Sequence, residues 1–444
     1  MSISQAYLSS VRERAERAKE KKAALGPDID LLRYNQHIER GRIESLESLS
    51  QQLQEAASMA GIDVREEVRS GSYLQVDHSV VYERLNKVYE GKLEIMSTTD
   101  ALSRYDWLED YYWRVVPVDQ DKYTAQAELN MTHGYFIRVF PDQKLEYPVQ
   151  ACLLVAESYV SQNVHNIIIV EEGAELQVIT GCTLSKKDAE GIHLGISEFY
   201  IKKGGKLFFT MIHNWADNFH VRPRTRAIVE EDGAFVSNYV LLKPVKSIQA
   251  FPVVYLKGDR SSAKFNTIVY GLKDSYIDLG SRIILEGEDT RGESIARTIA
   301  ADESVIYARG DLVAETKGYC VAHLDCRGIL FSNKAKIYAI PQLVSEGALK
   351  ANLSHEASIG PIAEEQVEYL MSRGVSKEDA ISVITSGFLN LDIPFLPQVI
   401  DKNIKEMIKI TAKESMYTIT QINFFLLRLC PFAFFNSLSY NKCQ

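Results

Sequence analysis

The sequence predicts a mainly β fold, a β-solenoid flanked by α-helical regions, and two observations carry that expectation. From about residue 121 the chain changes from charged, helix-forming stretches to short runs of Val, Ile, Tyr and Phe broken by turn residues. The turns recur at a nearly constant interval, at Gly173, Gly205, Gly233, Ser262 and Gly292. A strand-turn-strand unit repeated at such a period buries its apolar face only against its neighbours, which is the mark of a solenoid. Irregular β-meanders with evenly spaced turns fit the same spacing, so periodicity alone leaves both open.

The elements follow in chain order. Residues 1–120 read as a helical and mixed region. The N-terminal stretch, through Leu25, is rich in Arg, Lys, Glu and Ala, and Glu13 and Arg17 stand at the i,i+4 spacing of a solvated helix. A second helix is expected where Ile43, Leu46, Leu49 and Leu53 recur at helical spacing and Gly61 ends the run. Residues 121–360 form the β core. Residues 361–416 return to helix: Pro361 suits a first helical position, Gly374 a terminator, and Ser376 with Asp379 a capping box before AISVITSGF. A last helix is expected from Pro397 to Met416 on the stripe Ile400, Ile404, Met407, Ile408 and Ile410. The tail 417–444 is crowded with Phe and Leu, but Gln421, Asn423, Arg428 and Pro431 interrupt it too often for a spanning helix. No role is assigned to its Cys430 and Cys443.

Composition excludes some functions. A formal charge of -9 argues against sequence-independent nucleic-acid binding, which needs basic surface to displace counterions. The N-terminus has no apolar h-region and its arginines alternate with glutamates, so the cytoplasm is the default location and no membrane is expected. Six cysteines, at 152, 182, 320, 326, 430 and 443, form no CxxC pair, which leaves no disulfide framework, zinc ribbon or ferredoxin-type site. There is no GxxxxGK[ST] loop, no GxSxG elbow and no HExxH, so ATP dependence must come from another chain and common hydrolase chemistry is unsupported.

The chemistry concentrates between Leu324 and Phe388. Cys326 in LDCRG is followed by SHEASIG with His355 and Glu356, and thiolate, imidazole and carboxylate are side chains that hold iron. The interval from Cys326 to His355 is close to one solenoid turn, which would stack them on neighbouring coils of one face. One Cys and one His, with Glu356, do not complete the coordination of a multi-iron cluster, whereas two copies meeting at an interface could. Cys320 lies an even number of residues before Cys326 and would share its face if no turn intervenes in VAHLD; it is read as structural.

The stretch from LDCRG through EEQVEYLMSRGVSKEDAISVITSGF resembles the SufB/SufD family, the scaffold subunits of Suf-type iron-sulfur cluster assembly, over roughly residues 95–416. The resemblance implies a right-handed parallel β-helix between helical ends, and makes the near-continuous apolar runs HNIIIVEE and SRIILEGE the expected pattern of parallel strands. It implies pairing of two chains, itself or a SufB/SufD paralogue, near the C-terminal strands, with a transient cluster at the junction held by Cys326, His355 and Glu356. SufD keeps the histidine but usually lacks the cysteine and glutamate, so the chain is closer to SufB. Cys182, in TGCTLS, is similar to the cysteine of the EGCSAP-like motif proposed to accept sulfur before its passage through the β-helix, although the following Ala-Pro is missing. A SufC-like ABC ATPase is implied on the helices of 361–416, together with a sulfur donor protein and apo-protein acceptors. Family members usually end near the last of those helices, so the tail departs from the pattern. On this reading the chain is an assembly scaffold and not an enzyme. The alternatives are a SufD-like accessory subunit and, in another class, a carbohydrate-active β-helix enzyme, which would need an acidic groove that the sequence does not display.

Overall fold

The computed structural model describes residues 2–391 and the positions 397, 398, 400, 402, 404 and 406. Apart from those isolated positions, the helix expected over 397–416 and the tail 417–444 lie outside the described residues. The strands are β1 (Gly71–Val76), β2 (Ser79–Leu85), β3 (Leu93–Ser97), β4 (Tyr135–Val139), β5 (Val149–Val155), β6 (Val160–Val170), β7 (Glu175–Leu184), β8 (Gly191–Ile201), β9 (Lys206–Asn214), β10 (Phe219–Val221), β11 (Arg224–Val229), β12 (Ala234–Leu241), β13 (Ser247–Ala250), β14 (Val253–Leu256), β15 (Ser262–Gly271), β16 (Tyr276–Leu285), β17 (Thr290–Ala300), β18 (Val305–Ala314), β19 (Cys320–Leu330), β20 (Lys336–Ser345) and β21 (Ala351–Gly360). The helices are α1 (Gln5–Ala18), α2 (Gln51–Met59), α3 (Thr98–Arg104), α4 (Lys122–Leu129), α5 (Glu364–Ser372) and α6 (Lys377–Leu389).

From β5 onward the chain passes alternately between two sheets, and each strand pairs in parallel with the strand one turn later. The result is a parallel β-solenoid of about 8 turns. One sheet runs β1-β5-β7-β9-β12-β15-β17-β19-β21, with β2 antiparallel at its start. The other runs from β3 and β4 through β6, β8, β11, β14, β16 and β18 to β20, with the short β10 and β13 filling the middle turns. Turn length is not constant: Ala234 stands opposite Ser262 in a short middle turn, and Cys320 opposite Ala351 in a longer final one.

Six successive turns pass their tight corner through one residue in the left-handed region: Asp142, Gly173, Gly204, Asp232, Arg260 and Asp289. The N–H of each donates to a carbonyl of the following turn, from Asp142 N–H on Glu172 to Asp289 N–H on Tyr319, so the ladder continues around the bend. Glycine reaches this conformation without a Cβ clash, and aspartate tolerates it. At Arg260 the side chain adds a counterweight, donating from Nε to Asp232 and from Nη2 to Glu231 of the turn before. The expected turn at Gly173 is met. Those at Gly205, Gly233 and Ser262 fall one or two residues past the left-handed residue, and Gly292 lies inside β17; the corner beside Gly205 is Gly204, and the other three are Asp232, Arg260 and Asp289, none of them glycine.

Burial explains the apolar runs. In β6 the even-numbered Val160, Val164, Ile168 and Val170 fill the lumen, while Ile167 and Ile169 lie beneath the N-terminal layer with Val11, Ala15 and Tyr123. Both faces are covered, so the strand is apolar throughout. Helix α1 is therefore not the solvated helix expected: Val11, Ala15 and Ala18 are buried, although Glu13 and Arg17 do pair at 2.8 Å. The second expected helix is shorter, with a 3-10 turn at Leu46–Ser48 before α2, and Gly61 at φ +83° ends it as expected. The N-terminal 1–120 are not wholly helical: β1 and β3 extend the two sheets.

Contacts divide the described residues into two compact units, 2–361 with 389–391, and 362–388. In the second, α5 begins at Glu364, three residues after Pro361, and is followed by Gly374 at φ +83°. Ser376 Oγ accepts the Asp379 N–H and donates to its carboxylate at the start of α6, the capping pattern read from the sequence. Among the described residues no helix is long and apolar enough to cross a membrane.

Candidate cluster site

Strand β19 alternates strictly across its sheet. Cys320, Ala322, Leu324 and Cys326 face the lumen and are buried, whereas His323 and Arg327 face out. VAHLD is thus strand and not turn, and Cys320 and Cys326 share a face as expected. Because the last turn is slightly longer than the interval from Cys326 to His355, Cys326 pairs with Ala357, and His355 pairs with Leu324. Cys326 and His355 still lie on the lumen side of adjacent strands, offset by two residues, because an even offset preserves the facing. Cys326 is 3% exposed. Burial, helped by Asp325, pushes its thiol up to about 11, so it stays protonated at neutral pH. The half-buried His355 has an enclosed Nε2 without a hydrogen-bond partner, a free nitrogen suited to a metal.

Glu356 does not join them. It pairs with Asp325 on the opposite face, where its Oε2 accepts from Arg327 Nη2 at 3.2 Å. Arg327 and Arg297 also donate to Asp325, at 3.0 and 2.7 Å, so the carboxylate belongs to an outer ion-pair network. Adjacent residues of one strand point to opposite faces, which separates His355 from Glu356. Among the described residues no three His, Cys, Asp or Glu side chains converge as a metal site.

Cys182 lies in the lumen side of β7, fully buried, between Leu153 and His213 of the neighbouring turns. Burial holds its thiol well above the ordinary range, and nearby Cys152 adds to this. The low thiol pKa and donor access that sulfur acceptance calls for are thus not features of the closed fold. Around it is a polar cluster that sequence reasoning missed. His213 Nδ1 is 2.9 Å from the Tyr239 hydroxyl, its buried Nε2 has no partner, and Trp215 and His193 pack against its ring. Burial drives the His213 imidazole well below its usual range, so it is neutral. One turn at this level runs from Cys182 to His213, two residues longer than the interval from Cys326 to His355, so that interval applied to Cys182 reaches Met211 and misses His213.

A lumen-facing path connects the two cysteines. Tyr239 is in register with Thr267, Thr267 with Ala296, and Ala296 with Cys326. Met211, Tyr239 and Thr267 line a partly open cavity of about 50 Å³ between the sheets. From β7 to β19 is five strand spacings, roughly 24 Å at about 4.8 Å each.

Comparison with known proteins agrees with this architecture. Residues 153–388 match the domain described as SUF system FeS cluster assembly, SufBD core domain. An iron-sulfur cluster assembly SufBD family protein of Methanothermobacter thermautotrophicus strain Winter is 42% identical over 415 residues, which is 91% of this chain and 99% of the relative. Another from Archaeoglobus fulgidus is 44% identical over 357 residues, 80% of this chain and 94% of the relative. The iron-sulfur cluster assembly protein SufB of Bacillus subtilis is 24% identical over 380 residues, 84% of this chain and 80% of the relative.

Proposed function

This chain belongs to the SufBD family of iron-sulfur cluster assembly proteins, and we propose that within it the protein is a SufB-like scaffold, working in the cytoplasm. It takes up sulfur and iron, builds a transient cluster where two chains meet, and releases it to apo-proteins. The cluster is cargo, and the protein turns over no small substrate of its own. The observation that supports this most is the placement of Cys326 and His355, offset by two residues, on the lumen face of the last two strands of one sheet. One thiol and one free imidazole are too few for a cluster, but two copies of β21 brought side by side supply twice that number. Imidazole is more readily exchanged than thiolate, which favours release. Glu356 joins as a ligand only if partner docking breaks its contact with Arg327.

Sulfur enters at Cys182. Its thiolate attacks the outer sulfur of a donor persulfide, forming a Cys182 persulfide while the donor leaves as thiolate. Because Cys182 is buried and protonated, the turn around it must open, and His213 is the base we assign. The ATPase partner docks on α5 and α6, where Tyr369, Met371 and Val383 are exposed apolar side chains, and its dimerisation strains the shared site open.

Anaerobic reconstitution with iron and sulfide, followed optically, tests the assignment. Cys326→Ser is expected to abolish the cluster and His355→Ala to make it labile. Cys182→Ser is expected to spare loading from free sulfide and to fail with a persulfide donor. Wild-type loading in Cys326→Ser overturns the site. A purified wild-type protein that holds no cluster alone returns the chain to the accessory, SufD-like reading.

A further inference from the structure

The outer face of the second sheet carries a cationic pocket remote from both cysteines. In HVRPRTRAI three arginines alternate, and the lumen side of β11 is taken by Ala227 and Val229, so Arg224 and Arg226 face outward. In the next turns Arg226 is in register with Val253, and Val253 with Arg282. Two guanidinium side chains therefore flank one valine, their strands about 10 Å apart. With Phe251, Gln120, Asp121, Gln249 and the N-terminal residues Ala24 and Leu25 they enclose a pocket of about 360 Å³.

The charges around it do not balance. Arg224 is paired with Asp121 at 2.9 Å, and Arg282 with Asp311 at 2.6 Å. Glu198, in register with Arg226, has its oxygens occupied by His165 and by the N–H groups of Trp113, Val115 and Val116. Arg226 itself donates only to neutral groups, the Tyr255 hydroxyl at 2.9 Å and Gln120 Oε1 at 3.0 Å. Beside the pocket Arg222 is fully buried, bonded to the carbonyls of Pro27, Val221 and Ser247 and to the Ser247 hydroxyl, with an unpartnered Nε. Like charges gathered in a partly enclosed space repel unless an anion lies between them. Guanidinium forks match the oxygens of carboxylate and phosphate two at a time. The volume suits a small molecule, and Val253 with Phe251 forms an apolar floor.

We propose that this pocket binds a small polyanion bearing two oxyanion groups, phosphate or carboxylate, one held by Arg226 and one by Arg282. The site is independent of the cluster chemistry. Calorimetric titration of the full chain at low ionic strength, with inorganic pyrophosphate and with citrate as probes, tests it. At least one probe is expected to bind with 1:1 stoichiometry, and the tighter of the two identifies the oxyanion. Arg226→Gln is expected to weaken that binding at least 10-fold. Val253→Glu, which places a carboxylate between the two arginines, is expected to abolish it while leaving the thermal transition in place. Arg260→Gln, on an exposed corner, is expected to leave binding unchanged. The proposal is overturned if neither probe binds at millimolar concentration, if Val253→Glu still binds, or if Arg260→Gln weakens binding as much as Arg226→Gln.

Discussion

At the N-terminal end each sheet starts on an antiparallel pair, the hairpin of β1 and β2 and the distant strands β3 and β4, whereas at residues 336–360 the sheets finish on β20 and β21 with one ladder partner each among the described residues. The starting end is covered on both faces, and all of β6 is buried. At the finishing end Tyr338, Ile340, Leu343 and Ile359 are exposed, and His355 keeps a bare nitrogen. A long, unpaired edge is a template for another strand, and soluble proteins normally blunt it. β20 is partly blunted by Pro341, which lacks a donor; β21 has no proline. The closed end holds the fold, and the open end is the edge on which the proposed pairing of chains would build, next to the residues assigned to the cluster.

The sharpest way to break this comparison is to cut the closed end. Glu198 is fully buried and accepts from Trp113, Val115 and Val116 while bonding His165, which ties the N-terminal layer to β8. Glu198→Ala leaves three amides and a histidine unsatisfied in a dry interior. A loss of about 3–5 kcal/mol is expected in urea unfolding. A loss under about 1 kcal/mol would mean that the N-terminal layer is not what secures the solenoid.

The open end should behave in the opposite way. Ile359→Lys adds a charge to the edge strand at a position 38% exposed on the face it shares with His355, so monomer stability is expected to fall by no more than about 1 kcal/mol. Self-association through β21 is expected to weaken 10-fold or more, about 1.4 kcal/mol, in sedimentation equilibrium. Unchanged association would place the contact between copies elsewhere.

The two ends also differ in how far the sequence discloses them. The solenoid is legible because successive turns repeat one backbone requirement at the corner, and the period survives even where the corner residue is Asp232 or Arg260 and the marker read from the sequence was Gly233 or Ser262. Strands β1 and β2 are hidden because their tight turn is Asp77-His78, with Asp77 at φ +51°, and lacks the glycine that flags a hairpin. At the site, residue type and spacing are enough to find Cys326 and His355. Glu356 groups with them in the sequence only because it is adjacent to His355, whereas along a strand neighbours point apart. His213 and Tyr239 stay unread because their meaning comes from register, which only the folded turns supply.

The corners give the smallest and most discriminating test. Two corners use glycine in the left-handed position, Gly173 and Gly204, and the three after them use Asp232, Arg260 and Asp289. At Gly204 an added Cβ would meet nothing closer than 3.8 Å, so Gly204→Ala isolates the backbone cost, about 1–2 kcal/mol. Asp289→Gly removes the residual cost of a side chain at φ +56° but enlarges the unfolded ensemble, and the two terms oppose each other. Its net effect is expected within about 0.5 kcal/mol of zero, read as a shift in the urea midpoint at constant m-value. A loss comparable to that of Gly204→Ala would show that the Asp289 side chain, and not the backbone alone, holds the later corners. The open end would then owe its order to side-chain contacts that a docking partner could displace.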